Sequence, residues 1–176
     1  MIPDHDHLVK IVREATNEVF TTMLGIELQQ YDAYIDTASP PAGDGIHSFV
    51  GLAGSWVGTG SVSCTSAFAC KISSQFLMAE YTSVNEDVLD AIAEITNMII
   101  GNVKTLLEVD LGPMGLSIPT VIFGRNFGSR TAGTFEWSVV PFVLDGEKIH
   151  IQICLAPQKD CVRPRPHVNV HEPVAN

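Results

Sequence analysis

The sequence predicts an α+β fold in which two units, each a helix plus three strands, form one antiparallel sheet with two long helices packed on it. Three observations point there. Apolar residues recur with helical spacing in three stretches and with strand-like alternation in six. Their order is helix and three strands, a linking helix, then helix and three strands again, which reads as an internal duplication. The two long helices also share Glu-x-Thr-Asn, in REATNEV at 13–19 and AEITNMI at 93–99, eighty residues apart.

In chain order, residues 7–24 space Val12, Ala15, Val19 and Met23 helically, and Gly25 follows as a stop. Three strands come next: IELQQYDAYI, then IHSFVGLAG after the turn-rich SPPAGDG, then SWVGTGSVSC. Residues 66–79 form the linking helix. Asn85 or Ser83 caps a long helix from about Glu86 to Glu108, whose positive end suits Glu86 and Asp87. The remaining strands are LSIPTVIFG, TAGTFEWSVVPFVL and EKIHIQICL, the last two joined by Asp145-Gly146. The expected domain is 1–156, and residues 157–176, with four prolines, read as a flexible tail.

Composition narrows the function classes. A chain of 176 residues, 45% apolar, fills one core and is too short for two large domains. Ten Lys and Arg against twenty Asp and Glu give a formal charge of −10, which repels nucleic-acid backbones and anionic lipid. Proteins are the expected partners. No apolar run reaches the ~20 residues that span a bilayer, and the acidic N-terminus does not read as a signal peptide, so a cytoplasmic location is expected. Cys64, Cys70, Cys154 and Cys161 make no CxxC pair and read as buried free thiols.

The segment DAIAEITNMIIG is chemically the most specific. At 100° per residue Asp90, Glu94, Asn97 and Gly101 fall within roughly 60° of one another on the helix, opposite an apolar stripe of Ile92, Ile95, Ile99, Val103 and Leu106. Solvated helix faces favour Lys, Glu, Gln and Arg. Asn97 beside Gly101, which costs about 1 kcal/mol against Ala in a helix interior, suggests that something approaches the backbone closely there.

The order Asp90-x3-Glu94-x2-Asn97-x21-Pro119 resembles the signature of the CheC, CheX and FliY phosphatases of bacterial chemotaxis, whose first position is Asp or Ser. EVFTTMLG, FVGLAGSWVGTGSV, NMIIGNVKTLLE and LSIPTVIFG resemble the CheX branch, over about residues 8–155. The resemblance implies hydrolysis of the aspartyl phosphate of a CheY-like receiver domain. It also implies that the receiver holds the Mg²⁺ and that this chain binds no cofactor or metal of its own. The resemblance gives Glu94 the task of pairing with the receiver's phosphate-contacting lysine. Asn97, whose amide both donates and accepts, can hold a water in line with phosphorus without acting as a base. Asp90 either adds a polar contact or is a plain solvated residue, and Pro119 shapes the strand edge beside the helix. CheX-like proteins are homodimers joined through their sheets, so a homodimer is expected. The competing reading is a non-catalytic adaptor that uses the same face to bind receivers or flagellar-switch components.

Helix one repeats the stripe as Lys10, Glu14, Asn17 and Thr21. Lys10 stands where the family has Asp or Ser, Thr21 stands where Gly101 clears room, and Pro40 is one residue late for the Asn-to-Pro spacing. CheC-like members carry two functional helices and CheX-like members one. GLAGSWVGTG lacks the Lys-Ser/Thr of a phosphate loop and reads as a tight hairpin. His167 and His171 lie in the proline-rich tail, and Asp4 to His7 read equally as a solvated end.

Overall fold

A computed structural model describes residues 3–37, 45–125 and 136–158. The first helix, α1 (His5–Leu24), starts because Asp4 accepts the His7 N–H at 2.9 Å, and it stops at Gly25, whose φ of 63° is open to glycine. So Asp4 to His7 form a helix start, with His5 Nδ1 2.9 Å from Ser138 Oγ, and not a loose end. The stretch read as one strand over 26–35 is two short pieces, β1 (Gln29–Gln30) and β2 (Tyr34–Asp36). Next come β3 (Gly45–Gly54) and β4 (Trp56–Cys64), the expected hairpin, and α2 (Ser66–Leu77), capped by Thr65.

The long helix α3 (Glu86–Leu111) is capped by Asn85, which accepts the Val88 N–H at 3.0 Å, and it runs three residues past the expected end. Gly112 stops it, and Glu108 ties the chain reversal. One carboxylate oxygen of Glu108 takes the Met114 N–H at 2.7 Å and the other meets Lys104 at 2.9 Å. The Lys104 ammonium and the Met114 N–H hold the Glu108 carboxyl below its usual range. The chain closes with β5 (Met114–Leu116), β6 (Thr120–Gly124), β7 (Trp137–Leu144) and β8 (Glu147–Pro157). Asp145 and Gly146, both at positive φ, make the two-residue turn between the last two strands. The proposed tail beyond Gln158, with Cys161, His167 and His171, lies outside the described residues, as does Pro40.

All strands join one antiparallel sheet in the order β1-β7-β8-β4-β3-β5, with β2 also on β7 and β6 also on β3. Its centre is the nine-residue β4–β8 pairing from Trp56↔Pro157 to Cys64↔Ile149. One face meets the helices: Ile46, Val50, Val62, Phe142, Ile149, Ile151 and Ile153 form a single core with Phe20, Phe68, Ile95 and Ile99. The two long helices are antiparallel. His7, at the start of α1, lies 3.7 Å from Asp110 near the end of α3, and further along Asn102 donates to Glu18 at 3.3 Å. Cys64 and Cys70 are buried free thiols as expected, Cys154 is buried as well, and burial pushes the Cys64 thiol up to about 12.

The fold is duplicated about an internal twofold. Exchanging β1 and β2 with β5 and β6, β3 with β7, and β4 with β8 reverses the strand order onto itself. The correspondence extends to an irregularity. On one edge Ser117 N–H donates to Gly51 O at 2.9 Å and pairing resumes at Phe49↔Thr120, so Ile118 and Pro119 face Val50 alone. On the other, Tyr31 N–H donates to Pro141 O at 3.1 Å and pairing resumes at Tyr34↔Val139, so Asp32 and Ala33 face Val140 alone. Each edge strand carries a β-bulge at the same place.

Candidate functional site

The face of α3 is fixed by what its back buries. Ile92, Ile95, Ile99, Ile100, Val103 and Leu107 are all buried; Leu106, expected among them, is half-buried. Ile100 sits against Gly60 of β4, where an added Cβ would come within 2.6 Å of its Cδ1. That close seat sets both the height and the rotation of the helix on the sheet. The outward stripe then carries Asp90 and Glu94, exposed, and Asn97 and Gly101, half-buried. The intervening Thr96 turns into the core and donates to Ile92 O at 2.7 Å, so the repeated Glu-x-Thr-Asn splits into two outward residues and one packed one.

No hydrogen bond or ion pair engages the side chains of Asp90, Glu94 or Asn97 among the described residues. Two carboxylates and one amide are therefore available together to an incoming molecule. Gly101 is not demanded by this chain itself. A Cβ there would meet only Leu116 Cδ1, at an ordinary 3.8 Å, so the bare backbone leaves room for something outside the protein.

The same contact places the β5–β6 edge beside the stripe, and α3 packs on both strands. Pro119, expected within a continuous strand LSIPTVIFG, instead occupies the bulge between β5 and β6, where its missing N–H costs no ladder bond. Sequence reasoning missed Ser117. Its hydroxyl accepts the Gly51 N–H at 2.8 Å and donates to Ile118 O at 2.9 Å, replacing the bond that the bulge removes from the ladder. The readable signal was a Ser and a Pro interrupting an otherwise apolar strand. Asp90, Glu94, Asn97, Gly101 and Pro119 thus share one side of the molecule.

Helix one keeps Glu14 exposed and Asn17 half-buried. The sheet position matching Pro119 is Ala33, because the bulge fixes the correspondence. Opposite Ser117, Gly51 needs an acceptor for its N–H, whereas Pro141 in the same role on the other edge has none to satisfy. Tyr31, in the place of Ser117, has its carbonyl bound by Arg13 at 2.8 Å. Among the described residues no group of three or more His, Cys, Asp or Glu side chains can hold a metal. Among them, too, no helix is long and apolar enough to cross a membrane.

Comparison with known proteins follows the same lines. Residues 46–143 match the family model described as Chemotaxis phosphatase CheX. CheX from Vibrio vulnificus is 25% identical, with a TM-score of 0.73, over 85% of this chain and 99% of that one. The CheX of Borrelia burgdorferi, solved in complex with CheY, BeF3 and Mg²⁺, is 26% identical, with a TM-score of 0.73, over 87% of this chain and 98% of that one. FliY of Thermotoga maritima, at 17% identity over 83% of this chain and 85% of that one, shares the fold with a TM-score of 0.65. No functionally curated protein matches.

Proposed function

The chain belongs to the CheX family of chemotaxis phosphatases, and we propose that it hydrolyses the aspartyl phosphate of a CheY-like receiver domain, with Asn97 positioning the water and Glu94 engaging the receiver's lysine. The observation that carries this reading is the unpartnered stripe of Asp90, Glu94 and Asn97 beside the open backbone of Gly101. The complex of the Borrelia relative with CheY supports a receiver as partner.

The chemistry asked of these side chains is small. An acyl phosphate is already labile. Water attacks phosphorus, the bond from phosphorus to the aspartyl oxygen breaks, and free carboxylate and inorganic phosphate leave. The receiver's own Mg²⁺ carries the charge, and this chain contributes no cofactor. Asn97 holds the water through its amide, half sunk in the surface so that its rotamers are restricted. A hundredfold acceleration needs about 2.7 kcal/mol, within reach of positioning alone. Glu94, exposed one turn earlier, meets the lysine ammonium and sets the register. Asp90 adds a polar contact at the rim, and Pro119 shapes the adjoining edge. The working molecule is a cytoplasmic homodimer joined through its sheets, which size-exclusion chromatography with light scattering checks.

Phosphate release from a phosphorylated receiver tests the reading. Wild type should accelerate release well above spontaneous decay, and Asn97→Ala should lose about a hundredfold while retaining binding. Glu94→Ala should weaken binding. Failure of wild type to accelerate decay of any receiver from the same source sinks the enzyme and leaves the adaptor. Equal loss of binding in both variants contradicts the separate roles.

A further inference from the structure

Resting on that reading, we propose that Ile118, presented at the tip of the β5–β6 bulge, is an apolar anchor that docks the phosphorylated receiver beside the water-positioning helix. The residue is 86% exposed, so its side chain adds almost nothing to this fold. Its backbone is nonetheless held closely. Ser117, next to it, donates to Gly51 O, accepts from Gly51 N–H and donates to Ile118 O. A large apolar side chain on a fixed support binds at little entropic cost.

Three observations select the receiver as occupant. Leu116, itself 36% exposed, reaches from this edge to Gly101, so the anchor is continuous with the stripe that carries Glu94 and Asn97. Ile118 lies within the bulge, where ladder pairing is already interrupted, so it is poorly placed to extend the sheet into a second copy of this chain. Its counterpart on the other edge, beside the incomplete stripe of α1, is Asp32.

The test separates this anchor from the chemistry. Steady-state phosphate release and binding to a BeF3-loaded receiver are measured for wild type, Ile118→Ser and Ile118→Val, with circular dichroism to confirm the fold. Ile118→Ser should raise KM and Kd about tenfold or more with kcat at saturation largely kept, and Ile118→Val should recover most of the affinity. An active wild type with unchanged KM and Kd in Ile118→Ser overturns the anchor and leaves the phosphatase reading intact. Binding that Ile118→Ser weakens, with no acceleration by wild type, supports the anchor and sinks the phosphatase. Dissociation of a homodimer by Ile118→Ser, with no change in KM, assigns the surface to a second copy and overturns the proposal.

Discussion

Thr16 and Thr96 occupy the same place in the repeated Glu-x-Thr-Asn, and both are fully buried, yet their hydroxyls fare differently. Thr96 donates to Ile92 O, while Thr16 Oγ1 has no hydrogen-bond partner among the described residues. A buried hydroxyl without a partner costs about 1–3 kcal/mol, so Thr16→Val should raise stability by roughly 1 kcal/mol, read as a shift in the denaturant midpoint. Thr96→Val, which deletes a made bond, should not share the gain. The outward pair Glu94 and Asn97 was legible in sequence because helical period alone sorts faces. Which threonine is satisfied was not, since it depends on side-chain and backbone placement of a few tenths of an ångström.

At the scale of elements, the seat of α3 decides where the stripe points. Gly60 of β4 leaves room for Ile100, and three carbons of that side chain would lie within 2.9 Å of an added Cβ. Gly60→Ala should therefore cost about 1–3 kcal/mol by overpacking and lower phosphate release by tilting Asn97; a denaturation curve and a turnover assay on the same preparation check both. Helix ends, caps and the β7–β8 turn could be read from Gly25, Asn85 and Asp145-Gly146, because local chemistry fixes them. The broken edge strands could not. A bulge is a relation between two strands, and its partner residues, Gly51 and Pro141, lie far away in sequence.

The whole molecule repeats itself without repeating its chemistry. The duplication was legible from eighty-residue spacing, but the reversal of strand order about a twofold, which pairs Ala33 with Pro119, was visible only in the sheet. With Lys10, Thr21 and Ala33 in place of Asp90, Gly101 and Pro119, the first half lacks three of the five features that open the other face. Asn17→Ala should thus leave phosphate release at the wild-type rate, whereas a halving of turnover per protomer together with residual activity in Asn97→Ala would make α1 a second active site. The matched bulges carry a consequence for how such a protein changes over time. Since the Asp32–Ala33 bulge rests on the Tyr31 backbone bond, the Arg13 contact and a proline that asks for no acceptor, its shape survives without any motif residue. Inheritance can conserve architecture in one half and reactivity in the other, leaving the first helix free to acquire a different specificity while the original is untouched.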